Sequence, residues 1–478
     1  MEFSRFNTIP TKRLTSLKGK SFARIGLTLI TVGIAGCATT PLKTESVDLP
    51  GRDEAFEVKA PSVDDPAYQW AKGFNDDVLT ALIAEALESN IGLEAAKANA
   101  RAADAAARIS GSLKMPSVSL GLNSSRQQSR LSFLNFQEID SESHSLSLGS
   151  RWELDLWGKL RKTHASGLAN WEAAQADVEA LKLSIAGQVG KAWFNVLESD
   201  NQWRLAQDSS LSREQKLSSL EKRYKRGLVT SLDLRLTRAQ AASSRAITQQ
   251  RKTALNNSKR ALETLLGRYP SARQNSDQTL PEIANAIPSG LSSALVARRP
   301  DLYAAERRLA ASLAQSEVAN RNWLPQMNLT GSAGTTSDQL TELLDTDFSI
   351  WSIAGDLATT VFSGGRLQSE RDQAKAQAEA QLAQFRNVAL TAFQEVENAL
   401  SAESDLAQLS QDTAIAAFEN EKAEDLAWDQ YERGIIDITT LLDAQRRADD
   451  SASQLISVQN QRLQNRINLH IALGGDFQ

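Results

Sequence analysis

Tyr224-Lys225-Arg226-Gly227 recurs as Tyr431-Glu432-Arg433-Gly434, at an offset of 207 residues. Gly158-Lys159-Leu160 and Gly365-Arg366-Leu367 share that offset of 207, as do Leu266-Gly267 and Leu473-Gly474. Leu93-Glu-Ala-Ala96 matches Leu302-Tyr-Ala-Ala305 at 209, and so does Pro116 with Pro325. Ordered matches at a near-constant offset mark an internal duplication. The proline map agrees: 117–269 and 326–478 each hold 153 residues without proline, the residue that breaks helix interiors. A period this long is no solenoid repeat. It points to a duplicated domain whose halves are related by a pseudo-twofold.

Each half reads the same way. An Ala-rich stretch, 76–111 or about 301–321, has helix-forming composition and ends at Pro116 or Pro325. Alternation of period two follows: Val118, Leu120 and Leu122 against Ser117, Ser119 and Gly121, then Leu146 and Leu148 against Ser145 and Ser147. Met327 and Leu329, then Ile353, Gly355 and Leu357, repeat the pattern. This predicts strands at about 116–125 and 144–156 in the first half, and 325–335 and 350–361 in the second. Polar loops, 126–143 and 336–348, join them. Gly158 and Gly364-Gly365 then open helical segments 159–226 and 366–433, 68 residues each, about 100 Å long at 1.5 Å per residue. Leu183, Ala186, Val189 and Trp193 fall at helical spacing, matched by Leu390, Phe393, Val396 and Leu400. Such length implies coiled-coil-like packing. Arg226-Gly227 and Arg433-Gly434 stop these helices, with cations near the negative helix end and a glycine free to turn left-handed. Return helices run to Leu266 and Leu473. The first repeat is thus 76–270, with hairpin 159–266, and the second 295–475, with hairpin 366–473. Residues 271–294 connect them and 476–478 end the chain.

The amino terminus is a targeting segment. Lys12, Arg13, Lys18, Lys20 and Arg24 precede an apolar run, Ile25 to Ala35, too short to span a bilayer. It ends in Ile34-Ala35-Gly36-Cys37, which resembles the bacterial lipobox. In that motif the cysteine is acylated and becomes the first mature residue. Residues 1–36 are then a signal peptide, and Cys37 carries a covalent lipid. Ala38, where an aspartate would imply inner-membrane retention, points to the outer membrane. Residues 37–75, with Pro41, Pro50, Pro61 and Pro66, read as an extended tether.

Composition excludes several classes. Net charge is −5; residues 1–36 hold six Lys or Arg and one Glu, leaving −10 on the rest. That argues against a nucleic-acid partner. One cysteine excludes an internal disulfide, and His144, His164 and His470 sit in no metal-ligand spacing. No catalytic set, phosphate loop or metal motif points to an enzyme, and no cofactor is implied beyond the lipid on Cys37. No apolar run approaches 18 residues, so no transmembrane helix is expected.

Strands of about ten residues with one apolar face suit a transmembrane barrel. Trp152, Trp157, Trp323 and Trp351 flank or lie within them, like an aromatic girdle. On alternation alone, a soluble four-stranded sheet with one buried face fits better. The outward lipoprotein signal and the long helices turn the reading toward the membrane. Four strands close no barrel, and lipid tolerates no open edge, so the chain must oligomerise if they span.

The chain resembles the TolC-like outer-membrane factors, in particular the lipoprotein branch serving resistance-nodulation-division efflux pumps. The resemblance rests on Trp152-Glu-Leu-Asp-Leu-Trp-Gly158, Arg298-Arg-Pro-Asp-Leu302 with Ala304-Ala-Glu-Arg307, Phe362-Ser-Gly-Gly-Arg366 and Ala472-Leu-Gly-Gly475. It implies a mainly α fold with a small membrane β portion, assembling as a homotrimer with a 12-stranded barrel and an α-helical periplasmic tunnel. Export through it would be passive, with an inner-membrane transporter and a periplasmic adaptor as partners. Two readings stay beside efflux: a type I protein-secretion duct, and a periplasmic adaptor lipoprotein, which two hairpins per chain argue against.

The resemblance also implies a gate at the hairpin turns Gly227 and Gly434. Alignment through them carries the family's gate aspartate onto Asp233, its gate tyrosine onto Tyr431, and one aspartate of a selectivity ring onto Asp443. The other ring position is Thr440, and the gate arginine's is Ile436. These departures weigh against the family's best-known ion-pair gate; a Tyr431–Asp233 hydrogen bond remains, with Arg433 a substitute for the arginine. From the residues alone, Thr230 with Asp233 and Thr440 with Asp443 also read as helix-start caps, and Tyr431 as a packing residue.

Overall fold

The alternating and helical stretches fold as two similar halves in the computed structural model, which describes residues 69–131, 137–283 and 293–476. These lie in one compact unit, 57–478. Cys37, the signal peptide and the tether up to residue 68 lie outside the described residues.

The helices and strands, in chain order, are α1 (Asp77–Ser89), α2 (Ile91–Ser112), β1 (Ser117–Leu131), β2 (Gln137–Leu154), α3 (Lys159–Lys225), α4 (Ser231–Leu265), α5 (Pro300–Arg321), β3 (Gln326–Ser337), β4 (Ser349–Ala358), α6 (Arg366–Glu432) and α7 (Ile438–Ala472). α3 and α6 each run 67 residues, α4 and α7 each 35. A return helix therefore covers only about half of its long partner. Beyond it, α2 and α5 pack on α3, and α5 on α6.

The core sits where these helices change partners. Leu79, Ile83, Val189, Trp193, Phe194, Leu197, Leu262 and Ile467 are buried together. Trp70 and Phe74 join them from a single 3-10 turn, Gln69–Phe74. The end of the expected tether thus belongs to the fold, because burying two aromatics outweighs the chain entropy lost in ordering the turn. Asp76 fixes the entry. Its carboxylate accepts from Val78 N and Leu79 N, at 2.9 and 3.0 Å, and from Trp193 Nε1 at 2.7 Å.

The single helix expected over 76–111 is two. Asn90 stops α1 and caps α2, accepting from Leu93 N at 3.1 Å. Its amide donates to Leu265 O at 2.9 Å, and Ser89 Oγ to Leu266 O at 2.8 Å. The break exists to satisfy the carbonyls at the end of α4. In the last turn of α4, buried Glu263 accepts from the amides of Ala272, Arg273 and Gln274, at 2.7, 2.7 and 3.2 Å, holding the start of the connecting segment.

The strands form one antiparallel sheet, β1-β2-β3-β4, with β1 and β4 as its edges. Register places Leu120 opposite Leu148, Leu148 opposite Ala333, and Ala333 opposite Trp351. One face therefore collects Val118, Leu120, Leu122, Leu146, Leu148, Leu154, Met327, Leu329, Trp351, Ile353 and Leu357. The other collects Ser117, Ser119, Asn123, Ser145, Ser147, Asn328, Thr330, Ser332 and Asp356.

Strand lengths depart from expectation. β1 continues to Leu131 and β2 begins at Gln137, so most of the expected loop 126–143 is a two-stranded ribbon. Arg126 pairs with Asp140 at 3.0 Å, and Arg130 with Glu138. Both ribbon faces are polar, so the apolar alternation that marks a strand is missing there. β3 runs to Ser337, and β4 stops at Ala358, three residues short of the expected 361.

Gly158 and Gly365 turn the chain from sheet to long helix at φ of 77° and 87°, where only glycine sits without strain. Asp155 accepts from the first amides of α3, Leu160 N and Arg161 N, at 3.0 and 2.9 Å.

Candidate functional site

The hairpin ends are built twice by one local rule. At the first, Gly227 (φ 76°) donates to Tyr224 O at 2.9 Å and Leu228 N to Arg223 O at 3.1 Å. At the second, Gly434 (φ 74°) donates to Tyr431 O at 3.0 Å and Ile435 N to Gln430 O at 2.9 Å. This paired closure is the Schellman motif, which satisfies the last helix carbonyls.

Asp233 lies in a capping box. It accepts from Thr230 N, and Thr230 Oγ1 accepts from Asp233 N, both at 3.1 Å. The second hairpin departs from expectation. Its cap is Asp437, which accepts from Thr440 N at 2.8 Å, so Thr440 and Asp443 are not cap residues. Asp437 stands one repeat after Thr230, and Thr440 one repeat after Asp233. Asp443 lies a turn further on and accepts from Arg446 and Arg447, each at 2.8 Å. Arg446 and then Arg447 hold its carboxyl below the usual carboxylate range.

Tyr431 is buried with Leu220, Ala427, Ile438 and Leu441. The Arg223 guanidinium lies 5.9 Å from its ring centre. Its hydroxyl is buried and makes no hydrogen bond among the described residues. Within one chain, then, Tyr431 and Asp233 are not hydrogen-bonded. Burial, and secondarily the Asp233 charge, push the Tyr431 phenol up, against the pull of Arg223. Arg433 pairs with Asp429 at 2.8 Å on its own helix, and Ile436 packs against the Tyr431 cluster.

A polar seam between the hairpins escaped the sequence reading. Along α3 and α7, Asn195 accepts from Gln464 at 2.6 Å, and Glu198 from Asn460 at 2.6 Å and Ser457 at 2.9 Å. Gln202 donates to Ser453 O at 2.8 Å, and Arg213 pairs with Asp449. Nearer the turns, Lys216 reaches Glu424 of α6 at 2.7 Å. A cleft of about 390 Å³ opens beside the seam, lined by Gln202, Arg213, Ser244, Arg251 and Asp450.

Charge divides the two hairpin ends. Residues 213–238 hold eight Lys or Arg and three Asp or Glu, net +5. The equivalent window one repeat later, 420–445, holds two and seven, net −5. A charge count per repeat is the signal that reveals it.

At the sheet, most side chains of the apolar face are exposed, including Val118, Leu120, Leu122, Leu148, Trp351, Ile353 and Leu357. From Leu146 to Leu154 this face spans about 27 Å along β2, close to the apolar band of an outer-membrane barrel. Trp152 and Trp157 lie at its helix-proximal end, donating to Lys114 O and Pro325 O at 2.9 and 2.6 Å. No described helix is long and apolar enough to cross a membrane. The three histidines lie apart: His144 beside Ser124 in the sheet, His164 against Ala107, His470 stacked on Trp70.

Comparison with known proteins follows the repeat. A family profile described as outer membrane efflux protein matches residues 82–268 and again 291–475. The chain is 31% identical over 466 residues to the pyoverdine export outer membrane protein OpmQ of Pseudomonas putida, covering 94% of this chain and 96% of that one. It is 28% identical over 415 residues to the toluene efflux pump outer membrane protein TtgF of Pseudomonas putida, covering 86% of each. Among solved structures, the outer-membrane channel OprN superposes with a TM-score of 0.82 at 26% identity, covering 90% of this chain and 98% of that one.

Proposed function

This chain belongs to the outer membrane efflux protein family, and on that premise we propose that three copies close one export duct. The protein is an outer-membrane channel of an efflux system. The observation that carries the assembly is the sheet, with one exposed apolar face and two edges, β1 and β4, that bond to no other strand among the described residues. Open edges are not tolerated in lipid. Three sheets joined edge to edge make twelve strands, within the range of known membrane barrels. α3 and α6 carry the tube about 100 Å beyond the sheet, and the hairpin turns form its periplasmic mouth.

In this reading the chain catalyses no reaction and consumes no energy. An inner-membrane transporter drives small molecules into the duct, and a periplasmic adaptor joins the two. Cys37 carries the acyl anchor, which adds membrane affinity but forms no pore. Pyoverdine and toluene, cargoes named for two relatives, share little chemistry. That supports a generic duct, with selection made upstream. It also favours efflux over a protein-secretion duct.

The test is native mass in detergent together with conductance in planar bilayers. A trimer forming discrete channels is the expected result; a monomer without conductance overturns it. Replacing Cys37→Ala should abolish acylation, and unchanged lipid labelling would remove Cys37 as the anchor.

A further inference from the structure

The β3–β4 connection, residues 338–348, folds back onto the apolar side of the sheet. Side chains alternate along β3, so Thr335 and Ser337 share a face with Leu329 and Ala333. Thr335 Oγ1 donates to Leu343 O, and Ser337 Oγ to Glu342 Oε2 at 2.7 Å. Leu343 is buried, and so are Ser337 and His144, paired in register. The segment therefore lies over the apolar-side surface of β3 at the end away from the helices.

That surface needs covering. Above Leu329 the apolar face of β3 thins to Gly331, Ala333, Thr335 and Ser337, with His144 and Ser124 alongside on β2 and β1. Bare, these groups would set hydroxyls and an imidazole against hydrocarbon, which is costly. Over them the segment presents Leu340 and Leu344, which are 60% and 85% exposed. Exposed Asp338, Asp345 and Asp347 flank the leucines, giving the mixed character of a segment lying at a membrane interface.

We propose that residues 338–348 form a lipid-contacting collar on the outer wall of the barrel, with Leu340 and Leu344 in the outer leaflet at the hydrocarbon boundary. Continuity with the apolar band of the sheet identifies the occupant as lipid. A second copy would join at the edges β1 and β4, whereas the segment's hydrogen bonds hold it over the inner strand β3. The proposal rests on the barrel reading above.

Spin labels test both separately. Leu340→Cys and Leu344→Cys variants of the mature chain are labelled and reconstituted in phosphatidylethanolamine–phosphatidylglycerol vesicles, with the labelled parent as blank. Collisions with oxygen, which enters hydrocarbon, are compared with those of a water-soluble nickel chelate. Leu120→Cys on the apolar face and Ser332→Cys on the polar face serve as references. The collar requires an oxygen-to-nickel ratio at 340 and 344 that matches Leu120→Cys and stands several-fold above Ser332→Cys. A ratio like that of Ser332→Cys, or labels shielded from both reagents as in a contact between copies, overturns it. An aqueous ratio at Leu120→Cys itself overturns the barrel reading instead.

Discussion

At Asp233 one side chain is claimed by two roles, and their chemistry separates them. As a cap it must accept from Thr230 N; as a gate it must carry charge. Asp233→Asn keeps an acceptor and loses the charge, whereas Asp233→Ala loses both. If capping dominates, Asp233→Ala speeds hydrogen exchange over 230–234, losing about 1 kcal/mol of local stability, while Asp233→Asn leaves exchange and conductance near parent values. Raised conductance in both variants would return the residue to the gate. Tyr431 gives a second test, because its buried hydroxyl has no partner among the described residues. Removing such a group costs nothing, so Tyr431→Phe should keep or slightly raise the melting temperature. Asp443 is held by two arginines, so a ring of Asp443 is compensated in charge. Neutralising Arg446 and Arg447 together with Gln should shift the reversal potential of the channel toward cation preference. The Thr230–Asp233 cap was legible in the sequence; the arginines that hold Asp443 and the burial of the Tyr431 hydroxyl were not. Thr440 looked like a cap because Ser, Thr and Asp cluster at helix starts, and only the turn geometry shows the cap three residues earlier, at Asp437.

Among elements, the helices were legible because long proline-free, glycine-bounded runs admit few alternatives. The ribbon of β1 and β2 was not, because its faces are both polar. Nor was the seam between α3 and α7: Asn195, Glu198 and Gln202 at helical spacing look like a solvated face until the opposing helix is placed. The glycines that end the helices look alike in sequence but differ in surroundings. Gly227 and Gly267 are both left-handed, at φ 76° and 72°. A Cβ at Gly227 meets nothing, while one at Gly267 falls 2.6 Å from Ser89 O. Gly227→Ala should therefore cost about 1–2 kcal/mol, the left-handed penalty alone. Gly267→Ala must also push α4 away from the α1–α2 junction, and should lower the melting temperature further. Equal losses would refute the close approach. Glu263 makes a pH-dependent contribution nearby. Burial raises its pKa, but the amides of Ala272, Arg273 and Gln274 outweigh burial and leave it lowered. A lowered folded pKa stabilises above the unfolded value, about 4.3, and the contribution is lost as pH falls through the folded value. Glu263→Gln should thus expose amides 272–274 to faster exchange at neutral pH, with the difference from the parent shrinking as pH drops below about 4.

Over the whole molecule the two halves agree in shape and oppose in charge. Duplication explains the shape: one set of capping and turn rules, written twice, yields two hairpins of equal length. The windows of +5 and −5 have no such origin, and their arrangement in a trimer gives them a consequence. In the proposed trimer each basic hairpin end would stand between two acidic ones, one from its own chain and one from the next. Lys216–Glu424 and Arg213–Asp449 already use the contact within the chain. Lys222, Lys225 and Arg226 remain exposed without an ion-pair partner among the described residues, as do Glu421 and Asp425 on the other hairpin. Attraction between copies is thus available at the mouth, and exposed pairs of this kind are screened by salt. The Debye length falls from about 8 Å at physiological ionic strength to about 3 Å at 1 M. Hydrogen exchange over 222–232 should therefore quicken with added salt in the trimer, while exchange in the Trp193 core stays constant. Reversing Glu421 and Asp425 to Lys should reproduce the salt effect at low ionic strength. Adding Lys222→Glu and Lys225→Glu to that variant should restore slow exchange, because opposite charges face each other again. If the double reversal rescues nothing, the opposed charges act on some surface other than the neighbouring copy, and the mouth is held by packing around Tyr431 instead.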